Sequence, residues 1–196
     1  MSSPTAISHR ERLLREGMRQ LYERGFHGTS VDGILAASGV PKGSFYHHFG
    51  SKDAFVKQIL ARYMQFQLDR LEEWCGRDDL PTPAILSGYF REMADRFVES
   101  RHRRACLAGK LSTELAAGNE AFRAQLSDDF AVWKGLIRDL LLRGRQRGDV
   151  RDDQDVDMLA DAVLAMVQGA FVVALASHDD ASLTAVRTAI DLLLAP

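Results

Sequence analysis

The sequence predicts an all-α protein of about nine helices, in which a three-helix head (residues 1–52) precedes a helical-bundle body (residues 53–196). Two observations predict this class. Apolar residues recur every three or four positions along the chain, and no segment has the alternating apolar and polar pattern of a strand. Glycine, proline and capping residues interrupt the apolar pattern where separate helices would end. With 196 residues, the chain is long enough to bury a sizeable core.

The head is predicted to contain three helices. The first carries one apolar stripe and ends at Gly25, which suits the C′ position of a helix. The second begins at Thr29 or Ser30, because a hydroxyl there accepts a hydrogen bond from the first turn. Gly39 then provides a tight turn, since a positive φ costs glycine nothing. Pro41 takes the first position of the third helix, where its missing N–H is no loss.

The body is predicted to contain six helices, each with an apolar face that repeats at helical spacing. Ser51 caps the first of them, and a polar segment at 76–83 separates it from the second. A basic segment precedes a short third helix, and an acidic loop precedes the last two. Four of the predicted helices span about Ser51–Cys75, Cys106–Ala117, Gln154–Ser177 and Ala181–Leu194. The second has an apolar face from Leu86 to Phe97, and the long fourth has one from Phe122 to Leu140.

Charge is distributed unevenly between the two parts. The head holds seven Lys and Arg against four Asp and Glu, a charge of +3, whereas the body holds 18 against 23, a charge of −5. The total of −2 argues against a nonspecific polycation. A mildly basic head on an acidic body is typical of a protein that touches a polyanion with one end.

Composition also excludes several classes. No basic segment followed by an apolar run begins the sequence, so no secretory signal is predicted. The longest apolar run, Ala162–Ala176, is short for a membrane span. Cys75 and Cys106 form neither a disulfide framework nor a metal-ligand spacing. We therefore expect a cytoplasmic protein without a membrane segment, a metal or a cofactor.

The segment Thr29–Lys52 carries the strongest functional signal. Its third helix has few long apolar side chains, so it is a poor core element but can lie against a phosphate backbone. Phe45 and Phe49 would anchor this helix, and glycine would let the backbone approach DNA closely. The alternative is an ordinary packed corner with surface groups. The residues that can contact phosphates or bases are Lys42, Gly43, Ser44, Tyr46, His47 and Lys52.

The block GFHGTSVDGILAASGVPKGSFYHHFGSKDAF resembles the N-terminal signature of the tetracycline-repressor (TetR) family of transcriptional regulators. The resemblance covers about the first fifty to sixty residues. It implies a homodimer with a DNA-binding head and a ligand-sensing body, and an unknown small-molecule effector. It also implies that Thr29, and with it Ser30 at the start of the second helix, lies at the DNA surface together with the residues named above.

The segment RACLAGKLSTELA is similar to one found in electrophile- and oxidant-responsive members of the TetR family. Cys106 is expected near a helix N-terminus, just after the basic run 101–104, with Lys110 one turn further on. The helix dipole and nearby cations both favour the thiolate, which is the reactive form. The alternative is a small buried hydrophobe. Cys75 has acidic neighbours and is the weaker candidate.

Aromatic side chains at helical spacing are candidates for the wall of a ligand pocket, although most such stripes simply form a core. Glu114 can orient a polar ligand or pair with Lys110, four residues before it, and this spacing favours the ion pair. The candidate pocket residues are Phe66, Tyr89, Phe90 and Trp133.

The last two helices are predicted to form a two-fold dimer. Ala162–Ala176 is apolar on nearly all sides, whereas an outer helix of a monomer needs only one apolar stripe. Small residues such as Gly169 would let a partner helix approach closely. The alternative is a central core helix in a monomer. A dimer would present its two recognition helices to successive major grooves.

Together these features predict a dimeric repressor that leaves a palindromic operator when a ligand binds or Cys106 is modified. Two other functions stay open: a thiol-dependent enzyme that uses Cys106, and a helical ligand-binding protein without a DNA function. No Cys-X-X-Cys pair, Ser/His/Asp triad motif or glycine-rich phosphate loop supports the enzyme.

Overall fold

A computed structural model describes residues 7–196, and every regular element within that range is an α-helix. This confirms the predicted all-α class. The helices of the described range are α1 (His9–Arg24), α2 (Val31–Ser38), α3 (Lys42–Phe49), α4 (Lys52–Cys75), α5 (Thr82–Glu99), α6 (Leu107–Leu115), α7 (Glu120–Arg147), α8 (Val156–Ser177) and α9 (Ala181–Leu194).

Capping side chains explain where several helices begin. Ser8, Ser30, Ser51, Asn119 and Asp155 each accept a hydrogen bond from a backbone N–H in the first turn of the following helix. Those N–H groups have no carbonyl partner inside their own helix, so a polar side chain at the cap stabilises the start. Ser30, rather than Thr29, is therefore the cap of α2.

The turn between α2 and α3 is set by glycine and proline. Gly39 ends α2 with φ +63°, and its N–H donates to the carbonyl of Leu35 at 2.9 Å. Pro41 differs from the sequence prediction by one position: its ψ of 144° is extended, so it precedes α3 as the N-cap and Lys42 is the first helical residue.

The head has a compact aromatic core that includes part of α4. The rings of Phe45 and Phe49 pack against Phe55, with centroids 5.0 and 4.7 Å away. Gly17 on α1 leaves room for the Phe55 ring, because a Cβ there would collide with it. Since Phe55 belongs to α4, the first turns of this helix complete the head core. The helix therefore runs without interruption from the head into the body.

The body is a bundle in which α8 packs on α7 and α9, while α5 packs on α9 and α4. Glu92 of α5 accepts hydrogen bonds from Arg70 at 2.8 Å and from the Trp74 indole at 3.0 Å, which ties α5 to α4. Gly88 lacks the Cβ that would strike the Trp74 ring. These contacts fix the walls of the space between α4 and α5.

Helix α8 is buried on one side only. Among the described residues it is the helix that is long and apolar enough to cross a membrane by length and composition, but a core helix passes the same test. Only 44% of its most apolar window is buried inside the chain. Val172 and Val173 are 63% and 55% exposed, and Leu192 of α9 is 73% exposed. Each of the last two helices thus carries apolar side chains that the chain itself leaves uncovered.

Candidate functional site

The outer side of α3 is exposed while its inner side is anchored. Phe45 and Phe49 are buried at 0% and 6% exposure, so the helix cannot rotate without breaking the head core. Lys42, Tyr46 and His47 lie on the opposite side and are exposed. We call the exposed side of α3 the recognition face. It also includes Gly43, where a Cβ would meet no atom within 4 Å.

Two side chains of the recognition face contact other helices of the head. The Lys42 ammonium lies 3.3 Å from the Asp32 carboxylate, and both side chains are exposed, so the pair is weak and its lysine can turn to another anion. Ser44 Oγ lies 3.1 Å from Nδ1 of His9 at the start of α1. This contact brings a further imidazole to the edge of the face.

Two sequence-predicted DNA contacts lie elsewhere in this structure. Thr29 is 1% exposed, and its hydroxyl donates a hydrogen bond to the carbonyl of Gly25 at 2.7 Å. This bond stabilises the α1–α2 turn. The Lys52 ammonium donates to the carbonyl of Phe26 at 2.6 Å and lies 4.1 Å from that ring. Burial lowers the pKa of Lys52. Ser30 is exposed, and its Oγ accepts from the N–H of Gly33.

Sequence reasoning missed two histidines at the recognition face. His9 reaches Ser44 from the start of α1, a contact across 35 residues that local spacing does not predict. His48 is exposed and its ring lies 5.2 Å from that of His47. The sequence HHF (residues 47–49) was the available signal for His48. Because Phe49 faces the core, both histidines before it lie away from the core.

A cavity of about 670 Å³ lies between the head and the body. Its walls come from α1, α4, α5, α8 and the segment that leads into α6. Apolar side chains form most of the interior, and charged groups lie toward the rim. The lining residues are Met18, Tyr22, Glu23, Arg62, Tyr63, Phe66, Gln67, Met93, Arg96, Glu99, Ser100, Arg103, Arg104, Ala105, Cys106 and Phe171.

Cys106 lies on this wall at the N-terminus of α6. It is 3% exposed, and its Sγ accepts a hydrogen bond from the N–H of Gly109 at 3.4 Å, so the thiol is the N-cap of the helix. Burial raises the pKa of Tyr63 well above its ordinary value, and the neighbouring Cys106 adds to this, in part through a side-chain hydrogen bond. The sulfur is therefore buried from bulk solvent yet faces the cavity.

The remaining predicted ligand residues divide between wall and core. Phe66 lines the cavity, with the Arg96 guanidinium 4.4 Å from its ring centroid. Tyr89, Phe90 and Trp133 are 1%, 4% and 0% exposed and lie outside the cavity lining, in the core behind it. They differ from the prediction because an apolar stripe at helical spacing does not distinguish a cavity wall from filled core.

The charges at the cavity rim are only partly neutralised. Arg62 donates to both carboxylate oxygens of Glu11, and Arg96 donates to Glu92. Among the described residues, no acidic side chain pairs with Arg103 or Arg104, which are exposed. The lining carries four arginines against two glutamates, so the cavity wall is mildly basic.

Helix α6 holds the backbone of the head through two charged side chains. Lys110 Nζ donates to the carbonyl of Tyr22 at 2.7 Å, and Glu114 Oε2 accepts from the N–H of Phe26 at 2.7 Å. The expected ion pair between Lys110 and Glu114 is therefore wrong: Lys110 binds the last turn of α1, and Glu114 binds the turn that follows it. Lys110 lies outside the cavity lining for the same reason. Gly25 makes this possible, because a Cβ there would occupy the place of the Glu114 carboxylate.

Within residues 7–196, no group of three His, Cys, Asp or Glu is arranged to hold a metal ion. The described geometry instead combines an outward helix of a helix–turn–helix unit with a cavity beneath it. That combination is typical of a DNA-binding protein with a helical body.

Comparison with known proteins identifies the family. Residues 13–59 match the model described as bacterial regulatory proteins, tetR family, and residues 83–189 match the model described as the C-terminal domain of LmrA/YxaF-like transcriptional regulators. The chain belongs to the TetR family of bacterial transcriptional regulators. It is therefore a DNA-binding regulator rather than an enzyme, and the resemblance of the N-terminal block is confirmed.

Individual relatives agree with this assignment. The chain is 32% identical over 163 residues to the transcriptional repressor DhaR of Mycobacterium sp. (strain GP1), covering 83% of this chain and 80% of that protein. The crystal structure of reduced Escherichia coli NemR has a TM-score of 0.87 at 27% identity, covering 95% and 96%. A cysteine mutant of the regulator CifR in complex with 26-bp double-strand operator DNA has a TM-score of 0.81 at 26% identity, covering 97% and 98%.

Proposed function

We propose that the protein is a dimeric repressor that occupies a palindromic operator and leaves it when a small molecule enters the cavity or modifies Cys106. The observation that carries the proposal is the recognition face. A helix with two buried phenylalanines on one side keeps its orientation, and small and polar groups fill the other side. This is the arrangement that a major groove accepts.

In this proposal the groups of the recognition face have distinct roles. Lys42 binds a phosphate, and the absence of a Cβ at Gly43 lets the α3 backbone approach the DNA closely. Ser44 and His47 are positioned for phosphates or base edges. Tyr46, which is 46% exposed, offers a hydroxyl to the sugar–phosphate backbone. Ser30 marks the start of α2, from which backbone N–H groups can meet a phosphate.

The proposed dimer forms through α8 and α9. The exposed valines of α8 and Leu192 of α9 supply an apolar surface that one chain leaves in water. Gly169 adds a place for close approach, since no atom lies within 4 Å of a Cβ built there. A two-fold pair of such surfaces buries both and brings two heads to one side of a duplex. Because operator DNA lies in the bacterial cytoplasm, the proposed repressor is a cytoplasmic protein.

The proposed signal travels through α6. Cys106 caps this helix by accepting the N–H of Gly109, so a group added to the sulfur disturbs the start of α6. The same helix carries Lys110 and Glu114, which hold the end of α1. A shift of α6 therefore moves the head. Coupling of roughly 1–3 kcal/mol, typical of such switches, weakens DNA binding by about 5- to 150-fold.

Capture of sheared genomic DNA tests the proposed function. We expect the protein to retain fragments that share one palindrome, with half-site centres about 34–36 Å apart or somewhat more. A Cys106→Ser variant should retain the same fragments, because serine also caps a helix. Fragments without a shared palindrome would contradict a dimeric operator-binding repressor.

A further inference from the structure

One polar side chain on the cavity wall has an unused donor. Gln67 of α4 is only 6% exposed and lines the cavity. Its Oε1 accepts the hydroxyl of Tyr89 at 3.2 Å, and the Gln67 backbone carbonyl lies 3.3 Å from the same hydroxyl. Tyr89 is itself 1% exposed and cannot turn away. In this structure the Oε1 end of the Gln67 carboxamide therefore faces Tyr89.

The opposite end of the Gln67 carboxamide is its Nε2 group. Among residues 7–196 this group has no hydrogen-bond acceptor, while the rest of the side chain is enclosed. This nitrogen is not among the fully buried unpaired atoms of the described residues, and because Gln67 lines the cavity its N–H groups are available to a molecule inside it. A molecule with an acceptor oxygen, seated in the cavity, can accept a hydrogen bond from this nitrogen in place of water.

We propose that Gln67 selects effectors that carry a carbonyl oxygen, with Tyr89 as the residue that orients the Gln67 amide. The Nε2 group donates to that oxygen, while the walls formed by Phe66, Met93 and Phe171 contact the apolar part of the molecule. This inference rests on the proposed function, because it assigns the cavity to the effector. It adds the group that distinguishes one electrophile from another.

When the carbonyl compound is an enone, it can react with Cys106 by conjugate addition. The thiolate of Cys106, on the same cavity wall, attacks the β-carbon, so a C–S bond forms and the C=C π bond breaks. Its electron pair moves to the carbonyl oxygen, which becomes an enolate oxygen. Water then protonates the α-carbon, and the thiol proton has gone to solvent. A donor at the oxygen stabilises the enolate as charge develops on it.

Two electrophiles of similar size separate this role from simple access. Methyl vinyl ketone has the carbonyl oxygen, whereas allyl bromide reacts by displacement of bromide and has no oxygen. The parent protein is the Cys75→Ser variant, in which Cys106 is the remaining thiol. Intact-mass spectrometry then gives the rate of Cys106 alkylation by each compound.

The test variant is Gln67→Met, which keeps an unbranched side chain of similar volume. The Tyr89 hydroxyl retains the backbone carbonyl of Gln67 as its acceptor, so no buried donor is stranded. We expect the rate with methyl vinyl ketone to fall about five- to tenfold, the effect of one lost hydrogen bond, and the rate with allyl bromide to change less than about twofold. Thermal unfolding followed by circular dichroism checks that the variant folds.

A second variant, Tyr89→Phe, tests the orienting role and serves if Gln67→Met fails to fold. Tyr89→Phe should also lower the rate of Cys106 alkylation by methyl vinyl ketone and not by allyl bromide, by a smaller factor than Gln67→Met. Equal slowing of both electrophiles, or no slowing of either, would overturn the role of Gln67. If the parent still releases operator DNA on treatment with methyl vinyl ketone, either of these two results would leave the proposed function standing. A Cys106 that methyl vinyl ketone does not alkylate overturns this inference and the thiol route together, while operator capture still tests DNA binding.

Discussion

Glu114 of α6 accepts a hydrogen bond from the backbone N–H of Phe26 at 2.7 Å, and this bond joins the helical body to the head across 88 residues of sequence. The backbone carbonyl of Phe26 accepts a hydrogen bond from the Lys52 ammonium at 2.6 Å. The peptide groups on both sides of Phe26 are therefore held by charged side chains. A movement of α6 cannot leave this turn unchanged.

Truncation of that carboxylate should destabilise the protein. Glu114→Ala leaves the partly buried N–H of Phe26 without its acceptor, and we expect the free energy of unfolding to fall by about 1–3 kcal/mol. Urea unfolding measures the change. Glu120→Ala is the matched control, because Glu120 is exposed and bonds only its neighbour Arg123. An unfolding midpoint that Glu114→Ala leaves unchanged would show that the contact is dispensable.

The cap at Cys106 predicts different effects for two substitutions. Cys106→Ser keeps a side-chain acceptor for the Gly109 N–H, so stability and operator binding should remain close to those of the parent. Cys106→Ala removes the cap and should cost about 0.5–2 kcal/mol of stability. Neither variant should release operator DNA on treatment with methyl vinyl ketone, as measured by fluorescence anisotropy. Release from the serine variant would refute the thiol route.

A charge on the exposed side of α8 should prevent dimerisation. Val173 is 55% exposed in the single chain, and Val173→Glu would place a carboxylate in the proposed interface without a partner. We expect a monomer of about half the parent mass by light scattering after size exclusion. Val98→Glu, at a 41% exposed site on α5, is the control and should leave the mass unchanged. A dimeric Val173→Glu variant would require another interface.

The ion pair between α1 and α4 predicts a loss of stability in acid. Hydrogen bonds from Arg62 and then Arg15 lower the pKa of Glu11 from 4.5 to about 2. A carboxyl whose folded pKa is depressed contributes stability that is present above pH 4.5 and lost as the pH falls toward 2. The contribution is modest, because solvent screens a pair at the surface. Melting temperatures between pH 6 and pH 2 should fall less steeply in Glu11→Gln than in the parent, and parallel curves would contradict this.

Much of the fold followed from local sequence signals. The cap at Ser30, the glycine at 39 and the paired phenylalanines of α3 act within a few residues, so spacing alone located the helix–turn–helix unit. The position of Cys106 at the start of α6 is equally local, because a basic loop and an apolar repeat define that boundary.

The rest depended on contacts between distant segments. Lys52 has the residue type of a DNA contact, yet its ammonium binds the backbone carbonyl of Phe26, 26 residues earlier in the sequence. Tyr89 belongs to the same apolar stripe as Met93, but only Met93 lines the cavity. Whether a helical face meets a cavity or a neighbouring side chain is decided by packing, which periodicity does not contain.

The salt dependence of operator binding tests the central claim most directly. Fluorescence anisotropy with a captured operator should show affinity that falls linearly with salt on a log–log plot, since phosphate contacts release counterions. Lys42→Ala should weaken binding and reduce the slope by about 1.8, because each phosphate contributes about 0.9 and a dimer carries two copies of Lys42. Lys134→Ala, on α7 beside Asp161, is the control and should change neither value. If the affinity and slope of Lys42→Ala equal those of the parent, the recognition face does not bind DNA as proposed.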